Sequence, residues 1–137
     1  MSDKSSKIIM EVVENFFQII SGAINQPRDW NSFKKLFAAG AVLSASVRNN
    51  SNDFVINSWS VDSYIERLEK FFQTTDFYEK AENIIVNHSI NIAQVSCIYI
   101  ASKNENFSPE LKRGLNHIHL IKENNEWKII NTIWEDD

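Results

Sequence analysis

The sequence predicts a single α+β domain, in which helices from the first half of the chain cover an antiparallel sheet. Three observations predict it. Apolar residues recur at helical spacing in several segments before residue 75. After that point, long runs rich in Ile and Val follow one another without helices between them, which favours antiparallel pairing. The length of 137 residues is that of one domain with a substantial core.

The first helix is predicted from Lys7 to about Asn25, where apolar side chains return every three or four positions. It ends at Gln26-Pro27, because proline disfavours helix in the residue that precedes it. Residues 1–6 are polar and are expected to be disordered. The folded domain is therefore expected over residues 7–137.

Two further helices are predicted from their capping residues. Asp29 is expected to cap a short second helix, and Ser60 or Asp62 a third helix that continues to about Thr75. Alternation, β-branched residues and turn residues between the runs predict the strands. Strands are expected over residues 41–47, 54–59, 78–90 and 92–102, followed by two more in a C-terminal hairpin.

The C-terminal hairpin has two apolar runs on either side of Asn124-Asn125, a dipeptide typical of a two-residue turn. Side chains alternate along a strand, so each run contributes to both faces of the sheet. One face is expected to carry Asn116, Ile118, Leu120, Trp127, Ile129, Asn131 and Ile133. The other is expected to carry Leu115, His117, His119, Ile121, Ile130, Thr132 and Trp134. Both faces are too apolar to face water, so the helices should cover one, and a second copy of the chain is the simplest cover for the other.

Composition excludes several classes of function. The net charge is −4 and the basic residues are scattered, which argues against nucleic acid and anionic membranes as partners. No apolar stretch reaches the roughly 20 residues that span a bilayer, and the N-terminus does not have the pattern of a secretory signal. Cys97 is the only cysteine, so no intrachain disulfide can form. A cytoplasmic location is expected by default.

Four stretches resemble a known family when their order and spacing are taken together. Residues 29–41 are similar to a family segment that ends in "LFADDA", and residues 61–65 to the start of the family's third helix. Residues 83–87 resemble an "H-x-x-x-N" strand, and residues 127–129 a closing "W-K-I". From Lys7 to Trp134 the chain thus resembles the nuclear transport factor 2-like superfamily, and within it the SnoaL-like, polyketide cyclase-like group.

The resemblance implies a cystatin-like cone, in which a curved antiparallel sheet wraps around three helices and leaves an apolar pocket at its open end. Members of the superfamily include isomerases, dehydratases, cyclases and non-catalytic binding domains, so the fold does not settle function. Many members pair through the outer face of the sheet, which agrees with the need to cover the hairpin's second face.

The sequence departs from the family at residues that carry chemistry. Ala39-Gly40 replaces the acidic pair of the "DDA" motif, and Asn83 replaces the histidine of the strand motif. An amide does not take up a proton near neutral pH, so the usual carboxylate general base is expected to be missing. If the chain is an enzyme, Asp62 or His88 is the expected base.

A pocket is expected where amides and aromatic side chains fall on the inner face. Amides among aromatic rings either orient a neutral polar ligand or satisfy each other and the backbone. The family's register implies that Asn87 faces inward and His88 outward. The expected lining residues are Trp59, Tyr64, Asn83, Asn87, Tyr99, Asn116, Trp127 and Asn131.

His117 and His119 are two residues apart on one strand, which is a spacing seen in metal sites, and His88 is a possible third ligand. No acidic residue close in sequence completes such a site. We therefore favour a role in sheet-to-sheet contact and predict no metal and no cofactor. The expected homodimer interface contains His117, His119, Ile130 and Trp134.

The sequence predicts that the domain binds a small, mostly apolar molecule in the cone. One alternative is an isomerase, dehydratase or cyclase that acts on a small hydrophobic carbonyl compound. Another is a non-catalytic protein-interaction module whose cone is filled by its own side chains.

Overall fold

The computed structural model describes residues 3–136, which form three helices and six strands in the predicted order. The helices are α1 (Lys4–Ile20), α2 (Trp30–Lys34) and α3 (Val61–Phe72). The strands are β1 (Phe37–Arg48), β2 (Phe54–Ser60), β3 (Tyr78–His88), β4 (Ile92–Ser102), β5 (Lys112–Glu123) and β6 (Glu126–Asp136). Asp137 and residues 1–2 lie outside the described residues.

The helices begin at side chains that accept hydrogen bonds from their first turns. Asp3 caps α1 by accepting a hydrogen bond from the Ser6 N–H at 2.6 Å. Residues 4–6 are therefore helical, although the sequence analysis expected them to be disordered. Asp29 caps α2 as predicted, and Ser60 caps α3 by accepting from the Ser63 N–H. Of the two candidates for the α3 cap, Ser60 is therefore the correct one.

The six strands form one curved sheet in the order β2-β1-β6-β5-β4-β3. Every neighbouring pair is antiparallel except β1 and β6, which run parallel. The sheet is therefore mixed, whereas the sequence analysis expected a purely antiparallel one. Parallel pairing needs a long crossover connection, and here α3 and β2 to β5 lie between the two partners.

The hairpin between β5 and β6 is confirmed. Asn124 and Asn125 have positive φ angles of 51° and 65°, and Glu123 pairs with Glu126 on either side of them. Two consecutive residues in this region make the tight turn whose twist suits a hairpin.

A bulge in β6 changes which side chains face inward. Ile129 pairs with Leu120 and Asn131 pairs with His119, so Ile130 is an extra residue without a partner on β5. One extra residue reverses the alternation that follows it. Thr132 and Trp134 therefore face the helices, whereas Asn131 and Ile133 lie on the outer face, opposite to the prediction.

A second bulge, in β3, acts in the same way. Glu82 pairs with Ile98 and Ile85 with Ser96, so one of the two intervening residues on β3 is extra, and Asn83 has a positive φ of 53°. Beyond this point His88 pairs with the buried Ala93 and faces inward, while Asn87 faces outward. The register expected for these two residues was wrong for this reason.

The core fills the space between α1, α2 and the centre of the sheet. Ile9, Val13 and Ile20 of α1 are fully buried, as expected for the inner side of an amphipathic helix. Phe33 of α2 joins them, with its ring 5.3 Å from that of Phe16. The inner side chains of β4, β5 and β6 that meet them are Val95, Ile118, Leu120 and Ile129.

The outer face of the sheet is uncovered in the single chain. Several large apolar side chains are exposed there: Val42, Ile56, Ile85, Leu115, Ile121 and Ile133. Within residues 3–136 no helix is both long and apolar enough to cross a membrane.

Candidate ligand cavity at the open end of the sheet

A cavity of about 450 Å³ opens between α3 and the ends of β3, β4, β5 and β6. It adjoins the hydrophobic core, because Tyr64, Leu68 and Tyr99 belong to the core and also line the cavity. Its volume is in the range of small-molecule sites. The lining residues are Tyr64, Arg67, Leu68, Phe71, Thr75, Asp76, Phe77, Glu79, Tyr99, Ala101, Lys103, Leu111, Lys112, Trp134 and Asp136.

Glu79 places a carboxyl group inside this cavity. The Ser21 hydroxyl at the end of α1 accepts a hydrogen bond from the Glu79 N–H at 2.9 Å and fixes the start of β3. Burial raises the pKa of Glu79 to about 8, Asp136 adds to the rise, and Lys112 opposes it. Glu79 is therefore mostly a neutral acid at pH 7, able to donate a hydrogen bond.

Lys112 and Asp136 form an ion pair beside Glu79. Glu79 pairs with Ala101 and Ala101 pairs with Lys112, so the three residues make a row across β3, β4 and β5. Because the middle side chain is a methyl group, Lys112 and Glu79 face each other over an open gap.

Aromatic side chains form one wall of the cavity. The Trp134 ring lies edge-to-face with Tyr64, with centroids 5.8 Å apart, and stacks on Trp59 at 6.0 Å. Burial and the nearby Glu79 raise the pKa of Tyr64, so its hydroxyl stays protonated. The bulge at Ile130 is what turns Trp134 toward this wall.

Tyr99 is held in place by a glycine. Its hydroxyl donates to the Glu135 carbonyl at 2.6 Å, and its ring crosses Gly114, its partner on β5. A Cβ on Gly114 would lie 2.7 Å from Tyr99 Cε2, which is closer than carbon atoms approach. Only glycine at position 114 therefore permits this orientation of Tyr99.

A small inner recess of about 30 Å³ extends the site toward the core, with room for about one water. It is lined by Phe16, Tyr64, Glu79, Tyr99, Asn116 and Trp134. The buried Asn116 Oδ1 accepts from the Thr132 hydroxyl at 2.6 Å. The NH₂ group of Asn116 remains as a hydrogen-bond donor to a bound group.

The structure brings some predicted pocket residues together and separates others. Tyr64, Tyr99 and Asn116 line the cavity or its recess, and Trp59 stacks behind Trp134. The remaining predicted residues lie elsewhere. Trp127 is buried in the core, Asn83 is exposed at the β3 bulge, and Asn87 and Asn131 are on the outer face.

Neither predicted catalytic residue reaches the cavity. The Asp62 side chain is 82% exposed in the first turn of α3, 3.4 Å from Lys34. His88 faces inward but lies at the far end of β3 from Glu79, with its ring against Trp127. Its Nε2 lies 3.0 Å from the Asp3 carboxylate, and its Nδ1 lies 2.7 Å from the Ser89 carbonyl.

The sequence analysis did not single out Glu79, which supplies a carboxyl group to the cavity although Ala39-Gly40 replaces the acidic pair of the family motif. A signal was available, because the alternation that placed Asn83 inward places Glu79 on the same face four residues earlier. Lys112 and Asp136 had no comparable signal, since both lie at strand ends that are distant in sequence.

The residues predicted to form the dimer interface also lie in different regions of the structure. His117 and His119 lie on the outer face, and His119 is close to the unpaired Ile130, whereas Trp134 belongs to the cavity wall. Across residues 3–136, no three His, Cys, Asp or Glu side chains are grouped closely enough to hold a metal ion.

Comparison with solved structures identifies the fold. A cystatin-like protein of unknown function from Nostoc punctiforme superposes with a TM-score of 0.75 at 14% identity, over 100% of this chain and 94% of the other. An NTF2-like protein of unknown function from Pseudomonas putida gives 0.72 at 13% identity, over 98% and 88%. The chain has the NTF2-like fold.

A third solved structure with the NTF2-like fold is a candidate dehydratase from Streptomyces avermitilis, with a TM-score of 0.67 at 12% identity, over 98% and 97% of the two chains. No protein-family profile matches the sequence, and no curated protein matches it. The likeness at these identities concerns architecture, so function must be argued from the cavity itself.

Proposed function

We propose that this NTF2-like domain binds a small, mostly apolar molecule in the cavity between α3 and the sheet. The observation that carries the proposal is the 450 Å³ cavity, whose aromatic wall surrounds one largely neutral carboxyl group, that of Glu79. An apolar lining with a few convergent polar groups is typical of small-molecule sites.

The polar groups at the inner end define what the ligand should carry. Protonated Glu79 donates a hydrogen bond, and the Asn116 NH₂ group is a second donor near the recess. A carbonyl or hydroxyl oxygen at the inner end of the ligand would accept from them. The apolar remainder would lie against Leu68, Phe71 and Trp134, all of which line the cavity.

Filling the cavity tests this proposal. The neutral fluorophore N-phenyl-1-naphthylamine should bind the native protein, with emission that rises as water is excluded. Ala101→Phe places a ring between Glu79 and Lys112 and should weaken binding at least tenfold. Ala39→Phe makes the same change at an exposed position of β1 and should leave binding unchanged. Equal affinity in all three proteins would rule out this cavity as the site.

A second candidate function is acid–base chemistry on a small hydrophobic carbonyl compound, as in an isomerase, dehydratase or cyclase. The pKa of Glu79 favours it, because a pKa near the working pH suits a group that both takes up and releases a proton. Here Glu79 replaces Asp62 and His88 as the expected base. Glu79→Gln should retain ligand binding and lower any turnover at least a hundredfold, whereas Asp62→Asn should leave turnover unchanged.

We also propose that the chain forms a homodimer through the outer face of its sheet. The exposed apolar side chains there, with His117 and His119 among them, form the kind of surface that a second copy would cover. The adaptor alternative required a cone filled by its own side chains, and the 450 Å³ cavity weighs against it.

A further inference from the structure

The mouth of the cavity is lined by charged side chains of both signs. They are Arg67, Asp76, Lys103, Lys112 and Asp136, with Glu79 deeper inside. The charge that a ligand encounters at the mouth depends on which of these groups are already paired within the protein.

The acidic groups that line the cavity are each engaged within the protein. Asp76 Oδ1 accepts a hydrogen bond from the Ile24 N–H at 2.7 Å. Asp136 is paired with Lys112, and Glu79 is held mainly in its neutral form by burial. With Glu79 mainly neutral, the lining has two other acidic groups, Asp76 and Asp136, against three basic groups, Arg67, Lys103 and Lys112.

Two basic groups at the mouth are not engaged in this way. Within residues 3–136, neither Arg67 nor Lys103 lies within ion-pair distance of a carboxylate. The Arg67 guanidinium lies 4.7 Å from the centre of the Trp59 ring, and stacking of this kind leaves the N–H edges of the group free. The mouth is therefore locally positive on a chain whose net charge is −4.

We propose that the ligand is a small apolar carboxylate, with its anionic head at Arg67 and Lys103 and its apolar body along Leu68, Phe71 and Trp134. This inference rests on the proposed ligand-binding function and adds the chemical class of the ligand. Arginine suits the role because its planar fork matches the two oxygens of a carboxylate. The neutral state of Glu79 removes the repulsion that an ionised carboxylate deeper in the cavity would exert.

Three probes that differ only in their head group test the inference. 4-Phenylbutyrate, 4-phenylbutan-1-ol and 4-phenylbutylamine should each compete with N-phenyl-1-naphthylamine at pH 7 and low salt. We expect the carboxylate to bind about tenfold more tightly than the alcohol, and the amine to bind more weakly than either. Salt should reduce the advantage of the carboxylate, since charges at an open mouth are screened.

Matched variants assign the effect to the two residues. Arg67→Gln/Lys103→Gln should abolish the advantage of the carboxylate, measured as the ratio of the affinities of the carboxylate and the alcohol for the same variant. Lys70→Gln/Lys122→Gln removes the same charge at positions that do not line the cavity and should preserve the advantage.

Different results would overturn the ligand class and the ligand site. Equal affinities for the three probes in the native protein, or an advantage that survives Arg67→Gln/Lys103→Gln, would overturn the inference while leaving the cavity as a ligand site. Failure of Ala101→Phe to reduce fluorophore binding would overturn the ligand site, and the inference with it.

Discussion

Glu79 shows how one residue acquires its chemistry from its surroundings. Its carboxyl group faces Tyr64 on α3, Tyr99 on β4, Lys112 on β5 and Asp136 on β6. Burial among them raises its pKa from 4.5 to about 8. The same carboxyl group in an unfolded chain would ionise near its ordinary pKa, so folding and protonation are coupled at this residue.

That coupling predicts how stability depends on pH. Because the folded pKa is raised, the contribution of Glu79 is fully present below pH 4.5 and is lost as pH rises toward about 8. Glu79→Gln keeps the shape and cannot ionise, so it should gain about 1–2 kcal/mol relative to the native protein between pH 5 and pH 9, after allowance for partial solvent access. Urea unfolding at pH 5, 7 and 9 measures the difference. A constant difference across this range would contradict a raised pKa.

Gly114 leaves space for the Tyr99 ring and the Glu135 carbonyl, both of which a Cβ at this position would meet. Gly114→Ala should displace Tyr99, break its hydrogen bond to the Glu135 carbonyl and destabilise the protein by about 1–3 kcal/mol. Fluorophore binding should weaken as the cavity wall moves. Adding Tyr99→Leu should recover part of the lost stability, since the contact with the ring is then gone; full additivity of the two changes in chemical unfolding would argue against the contact.

At the scale of elements, the sequence predicted what is determined locally. Helices and strands follow from periodicity and caps, and the Asn124-Asn125 turn follows from two residues that adopt positive φ readily. The bulges at Asn83 and Ile130 depend on how each strand meets its neighbours, and alternation alone cannot locate them. Each bulge reversed the residues beyond it, which explains why Asn87 and Asn131 lie on the outer face, whereas Tyr99 and Asn116, on strands without a bulge, lie on the inner face as predicted.

The parallel contact of β1 with β6 could not be inferred from the sequence either. The two strands are separated by most of the chain, and no local pattern specifies such a partner. The cavity depends on this contact, because β6 carries both Trp134 and Asp136. The cavity could therefore be predicted only in part from the sequence, because it lies where distant elements meet, even though each of these elements was predicted.

The first turn of α1 is attached to the end of β3 by the contact between Asp3 and His88. The Ser89 carbonyl and the Asp3 carboxylate raise the pKa of His88, so its stabilising charge is complete below pH 6.5 and is lost as pH rises further. Asp3→Asn preserves the helix cap and removes the ion pair. Hydrogen exchange in residues 4–8 should be faster in this variant than in the native protein at pH 6, and the two should converge by pH 9 after correction for intrinsic rates. A difference that does not depend on pH would point to the cap instead of the ion pair.

At the scale of the whole molecule, the question is what covers the outer face of the sheet. Ile133 is 51% exposed in the middle of that face, and it pairs with His117 on β5 and Ser44 on β1. A charge buried at the centre of a self-complementary contact would appear twice, once from each copy, and would be costly to desolvate. Ile133→Asp should therefore dissociate a dimer that forms through this face.

Sedimentation velocity at micromolar concentration measures the outcome. We expect the native chain to sediment as a dimer and Ile133→Asp as a folded monomer, with its far-ultraviolet circular dichroism retained. Ile90→Asp is the matched control, because Ile90 is 81% exposed in the turn between β3 and β4 and lies outside the face. A native monomer, or a dimer that survives Ile133→Asp, would mean that the exposed apolar residues of the sheet have another role. Ligand binding would still be expected in that case, because the residues that line the cavity face the helices and belong to a single chain.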